Sequence, residues 1–309
     1  MEEQERFGAT DIFMLLAVLC WAVNFSFIKI ALREFSPLGF NGIRLFFASL
    51  ILIIALFLSG ERFSFAKSDM LKIFFLGIIG NTAYQLLFIH GLNWTTASKT
   101  SVIMAMTPVF VALLSTFLKQ EKIHWAGWLG IAISFIGFYF VITKQVGTLH
   151  FSGEELRGDL MILAGNLFWA IYTVFSKPFL EKISPLKWTS ITLAVGTVFY
   201  LPFAASDIVR IRWSEVSSQA WAVLIYSALF AVAICYVIWY ASVKRVGNSK
   251  TAVYGYLSPI FAIIFAYLLI SERITLLQIG GALIIFGGVY LTRSGYRLFE
   301  RGKVSALSD

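Results

Sequence analysis

Ser249 to Glu272 reads SKTAVYGYLSPIFAIIFAYLLISE, and Ser98 to Glu121 reads SKTSVIMAMTPVFVALLSTFLKQE. A shift of 151 positions lays Ser98, Lys99 and Thr100 on Ser249, Lys250 and Thr251, Pro108 on Pro259, and Glu121 on Glu272. The match continues with Gly130, Ile133, Phe135, Gly137 and Tyr139 over Gly281, Ile284, Phe286, Gly288 and Tyr290. Each copy is an apolar run long enough to cross a bilayer, with a proline near its middle. Two copies half a chain apart imply construction by duplication.

Composition agrees. The 309 residues are 59% hydrophobic and only 14% charged, against about 25% charged in soluble chains. The net charge of +8 falls in short loops between apolar runs, which points to orientation in a membrane and away from nucleic acid. Cys20 and Cys235 both sit inside apolar runs, as small packing residues rather than a disulfide or metal pair. The N-terminus is acidic and the first apolar run has the length of a span, so no cleavable signal is expected.

Ten helices follow, over 12–32, 38–58, 70–92, 97–118, 124–144, 158–178, 186–206, 218–243, 249–270 and 274–294. The expected fold class is all-α integral membrane, with residues 1–144 and 158–295 as two five-helix repeats. A polar linker would span 145–157, and a tail 296–309. Pro37 and Pro185 precede the second and seventh helices, a position that suits proline. The connections on the side of the termini carry 16 Lys and Arg against 8 on the other side. This bias puts both termini in the cytoplasm, with the chain in the cell membrane. Five helices per half is an odd number, so equivalent helices cross in opposite directions. Such an inverted repeat is associated with secondary transport by alternating access. The duplicated chain supplies both halves, so a monomer suffices.

The first helices of the halves match at a shift of 148: WAVNFSFIK from Trp21 lies over WAIYTVFSK from Trp169. Tryptophan usually anchors at the membrane interface, yet Trp21 and Trp169 lie near helix midpoints. Each is followed three residues later by a polar side chain, Asn24 and Tyr172. A polar group at that depth faces the bundle or a cavity rather than lipid. Tyr84 and Gln85 on the third helix, Tyr236 and Trp239 on the eighth, and Tyr256 on the ninth share that depth. These aromatics would make a mostly apolar cavity with few polar anchors, suited to amino acids with apolar or aromatic side chains or to amphipathic cations. Arg44 is the one charge well inside a span. It either snorkels to the interface or faces the cavity as a bidentate partner for a carboxylate. Pro108 and Pro259 leave the carbonyls of Met104 and Gly255 without their helical partners, as free acceptors or as healed kinks. No Asp or Glu lies centrally in a helix, so facilitated transport or weak proton coupling is expected, with His90 the one candidate carrier.

The repeated WAxxxxFxK, Pro37 followed by Arg44, and the SKTxxxxxxxP…E block in both halves resemble the drug/metabolite transporter superfamily, in its ten-helix EamA-type branch. The resemblance covers roughly residues 10–295. It implies a substrate cavity between the halves and transport of amino acids, related metabolites or amphipathic drugs, with export the expected direction. It implies no cofactor and no metal; the partners are a small-molecule substrate and the bilayer. Another class of function is an integral membrane enzyme acting on lipid or isoprenoid substrates. Such an enzyme usually gathers Asp, Glu or His near a membrane surface. Here His90, His124 and His150 are scattered, and Glu154 and Glu155 fall in the linker without a matching cluster.

Overall fold

A computed structural model describes residues 9–61, 66–118, 125–142 and 153–305, and every element among them is helical. Eight helices are long and apolar enough to span a membrane. They are α1 (Ala9–Ala31), α2 (Pro37–Leu58), α3 (Lys67–Trp94), α4 (Ala97–Phe117), α6 (Glu154–Leu180), α7 (Pro185–Val209), α8 (Ser218–Val246) and α9 (Asn248–Ile270). Two further helices, α5 (Trp125–Ile142) and α10 (Leu276–Ser305), carry shorter apolar segments. The ten segments are those the sequence predicts. Glu121 and most of the expected linker lie outside the described residues.

Two boundaries differ from expectation. α6 begins at Glu154, inside the expected linker, because extended Gly153 starts the helix and Glu154 and Glu155 lie at its positive end. α10 runs to Ser305 through the expected tail, since no proline interrupts a helix-forming stretch.

Capping serines set the entry of the second helix in each half. Ser36 Oγ accepts from Gly39 N at 3.3 Å and Ser184 Oγ from Lys187 N at 3.0 Å, each with proline as the first helical residue.

The packing maps onto itself when the halves are exchanged. α1 packs on α9 and α6 on α4; α3 lies along α6 and α8 along α1. α2 and α7 pack together, as do α5 and α10, each pair being its own counterpart. The α5–α10 contact is made by glycine. A Cβ at Gly137 would come 2.7 Å from Gly281 O, and one at Gly281 would come 2.8 Å from Gly137 O. Those separations require bare backbone. Outward, Phe46, Leu50, Ile54 and Phe57 form an exposed apolar stripe on α2 at helical spacing, facing lipid. Polar residues turn inward.

Candidate functional site

Two irregular turns aim the polar side chains. α3 contains a π-helical turn over Ile78–Ala83, directly before Tyr84 and Gln85. α8 contains one over Ser227–Ile234, directly before Tyr236 and Trp239. A shift of 151 lays the first on the last six residues of the other. A π turn adds a residue to the helical repeat, which rotates the following segment by about 100° and makes carbonyls available. Trp21 uses one of them: its Nε1 donates to Ala231 O at 2.7 Å.

The turns face a cavity between α1, α2, α3, α4, α6, α8 and α9. Trp21, Asn24, Arg44, Tyr84, Gln85, Trp169, Tyr236 and Trp239 all line it. Its volume is about 80 Å³, room for roughly five to eight waters at about 10–15 Å³ each. The aromatic wall is continuous: Trp169 stands 4.9 Å from Tyr236, 5.2 Å from Tyr84 and 5.8 Å from Trp239, and Trp21 stands 5.6 Å from Trp239. Such contacts stabilise by about 0.5–1.5 kcal/mol each beyond area burial. They hold the wall rigid.

Arg44 does not snorkel. It is 2% exposed and directed into the protein. Its Nη2 donates to Gln85 Oε1 at 2.7 Å and its Nη1 to Ser227 Oγ at 3.1 Å, while Gln85 Nε2 donates onward to Tyr236 OH at 2.7 Å. The rings of Phe40 and Phe88 lie 5.9 and 5.8 Å from its guanidinium carbon. These partners are neutral. Among the described residues no carboxylate pairs with Arg44, and its Nε is buried without a hydrogen-bond partner. A buried arginine lacking a counter-ion is costly, and a carboxylate delivered to the cavity would offset that cost. Asn24 Oδ1 and Ser258 Oγ are also buried without partners, and both residues line the cavity.

Two predicted site residues stand outside the lining. Tyr172 is fully buried against Trp188 and Tyr240, with its hydroxyl bonded to Thr192. Tyr256 lies against Phe286, its ring tilted by 58° at 6.5 Å. His90 is half-buried beside Trp94 and does not line the cavity. The proline breaks are where expected, between Met104 and Thr107 in α4 and over Tyr254–Leu257 in α9. The first is healed: Met104 O accepts from Thr107 Oγ1 at 2.6 Å, and Asn166 Nδ2 donates to Ile103 O at 3.1 Å.

A model of the EamA-like transporter family matches the chain twice, over residues 8–143 and 156–294. The chain belongs to the EamA-like transporter family. Relatives of this EamA protein cover nearly its whole length. An "Uncharacterized transporter" of Archaeoglobus fulgidus is 30% identical over 92% of this chain and 96% of its own. YyaM of Bacillus subtilis, an "Uncharacterized transporter", is 30% identical over 88% and 89%. A "Probable terminal-alkyne amino-acid exporter" of Streptantibioticus cattleyicolor is 29% identical over 91% and 92%. A solved crystal structure shares the fold with a TM-score of 0.69, at 17% identity, over 94% of this chain and 99% of its own.

Lining residues that sequence reasoning passed over are Phe25, Ala231, Val232 and Ala252 of the EamA protein. They are apolar residues in apolar runs, so nothing in the sequence separates them from core. Phe88, Thr107, Gly255 and Ser258 also line the cavity; each neighbours a signal that was legible, a polar residue or a proline break.

Proposed function

We propose that this protein is a secondary transporter of small carboxylate-bearing metabolites, first among them amino acids with apolar or aromatic side chains. On this reading it exports them across the cell membrane by alternating access, with both termini in the cytoplasm. The observation that carries the reading is Arg44, a buried cation with no carboxylate partner among the described residues, on a largely aromatic and apolar cavity. An incoming carboxylate gains a charge-assisted contact to a planar guanidinium, while the indole and phenol rings receive an apolar side chain. Asn24 Oδ1, an unpartnered acceptor on the same cavity, suits the ammonium end of an amino acid. Organic cations fit less well, because Arg44 repels them and no acid lines the cavity among the described residues. The amino-acid exporter among the relatives supports the same class. The inverted exchange of packing partners supports alternating access.

The test is transport by the purified protein in liposomes against a panel of apolar amino acids, their amides and organic cations. Counterflow of the amino acids alone supports the reading; preferential movement of the cations overturns it.

A further inference from the structure

Charged residues gather at one end of the bundle, away from the cavity. Lys99, in the first turn of α4, is 1% exposed and Asp159, in the first turns of α6, is fully buried. Lys99 Nζ stands 2.7 Å from Asp159 Oδ2 and 2.9 Å from Glu155 Oε1, and the Thr95 hydroxyl donates to the other oxygen of Asp159. Close backbone contact brings these groups together. A Cβ on Gly158 would lie 2.8 Å from Gly91 O and 2.9 Å from Thr95 N, so α6 meets the end of α3 with no side chain between them. Glu272, in the connection after α9, adds a second tie by accepting from Ala97 N at 2.9 Å and Ser98 N at 2.8 Å. The ends of α3, α4, α6 and α9 are thereby fastened together.

The repeat supplies a counterpart. A shift of 148 carries Asp159 to Asp11, and a shift of 151 carries Lys99 to Lys250. Asp11 opens α1 and Lys250 opens α9, so the pair lies at the opposite end. There Lys250 is exposed and Asp11 half-buried, with the Tyr254 hydroxyl donating to Asp11. One chain therefore carries the same two charges at each end, buried at one and more exposed at the other.

We infer that Lys99 and Asp159 form a lock closing one end of the cavity, and that Asp11 and Lys250 close the other end when the first opens. The inference rests on the transport reading, with the transport route exchanging one buried ion pair for the other. Loss of Lys99 leaves the buried Asp159 without its cation, and loss of Asp159 leaves Lys99 only the partly exposed Glu155, so the closed state suffers and the hydrated, open state gains.

The test reads access rather than transport, so it stands or falls independently of the substrate. In the full-length protein lacking Cys20 and Cys235, Ala252→Cys places a thiol on the cavity wall. A membrane-impermeant, negatively charged methanethiosulfonate is applied to the face carrying the α3–α4 connection. Lys99→Met and Asp159→Asn should each raise the labelling rate by about tenfold. Adding Lys250→Met to Lys99→Met should bring it back down, because the open state then loses its own lock. The double variant Lys99→Met with Asp159→Asn should label more slowly than either single, since no lone charge is left buried. Unchanged labelling in the singles, no fall on adding Lys250→Met, or a double variant as open as the two effects added would each overturn the lock.

Discussion

The hydroxyl groups of Tyr172 and Thr192 bond to each other, packed behind the cavity wall against Trp188 and Tyr240. Their repeat equivalents, Asn24 and Arg44, line the cavity. The duplication has therefore given one fold two different uses of the same pair of positions. In the second half the pair satisfies itself and braces α6 against α7. In the first half both members, which line the cavity, keep a buried polar atom without a partner. The first half supplies Asn24, Arg44 and Gln85 to the cavity, and both halves supply aromatic rings.

Tyr172→Phe should accordingly leave the apparent affinity for substrate unchanged while lowering stability by about 1 kcal/mol through the lost hydrogen bond. Asn24→Leu should do the reverse, weakening substrate affinity with little loss of stability, because Oδ1 has no partner to lose. Thermal unfolding and counterflow KM measured on both variants distinguish the two. Equal effects on KM would remove the asymmetry.

Gln85 connects Arg44 to Tyr236, and Gln85→Glu keeps its shape while supplying the carboxylate that Arg44 lacks. The buried pair should raise Tm and compete with the substrate, increasing KM for a carboxylate by about tenfold, an amount equal to about 1.4 kcal/mol. A variant that is stabilised yet transports normally would show that substrate does not meet Arg44.

Trp169 touches Tyr84, Tyr236 and Trp239, and its truncation to alanine would cost about 3–5 kcal/mol of stability. Trp169→Phe is the cleaner probe. It should raise KM for apolar amino acids by roughly fivefold, about 1 kcal/mol of lost aromatic contact. Glycine, with no side chain to place, should be affected least. An equal change for every amino acid would assign Trp169 to the fold alone.

The orientation is tested at two exposed positions. Arg212, between α7 and α8, has a side chain 78% exposed; Lys182, between α6 and α7, is 66% exposed. In a background without native cysteines, Arg212→Cys should react with an impermeant reagent added outside intact cells, and Lys182→Cys should not. The opposite pattern would reverse the charge-based topology.

Much of the cavity was legible because membrane burial leaves few reasons for a polar or indole group at mid-depth. Trp21, Asn24, Arg44, Gln85 and Trp239 each broke an apolar run, and all of them converge. The π turns in α3 and α8 were not legible. A single added residue barely disturbs the hydrophobic period, yet it decides which way Tyr84 and Tyr236 face. Tyr172 stands three residues beyond Trp169 as Asn24 stands beyond Trp21, yet its longer side chain reaches past the wall to Thr192 while Asn24 stays on the cavity. The Lys99–Asp159 contact was hidden because it spans 60 positions and depends on Gly91 and Gly158 bringing two helix ends together. Glu155 read as linker on its polarity, but it belongs to the first turn of α6 and to that ion pair.

The central claim is that Arg44 receives the carboxylate of the substrate. The most direct measurement compares an apolar amino acid with its amide in liposomes carrying wild type, Arg44→Lys or Arg44→Gln. Arg44→Lys keeps the charge and loses the planar fork, so carboxylate transport should weaken. Arg44→Gln should weaken it more, while the amide, a poor substrate of the wild type, should change little. Loss of a hydrogen bond to a charged group is worth about 1.5–3 kcal/mol, which sets the expected drop for the carboxylate at roughly tenfold to a hundredfold. If Arg44→Gln folds, inserts and moves the amino acid as well as the wild type does, the carboxylate is bound elsewhere and the account fails.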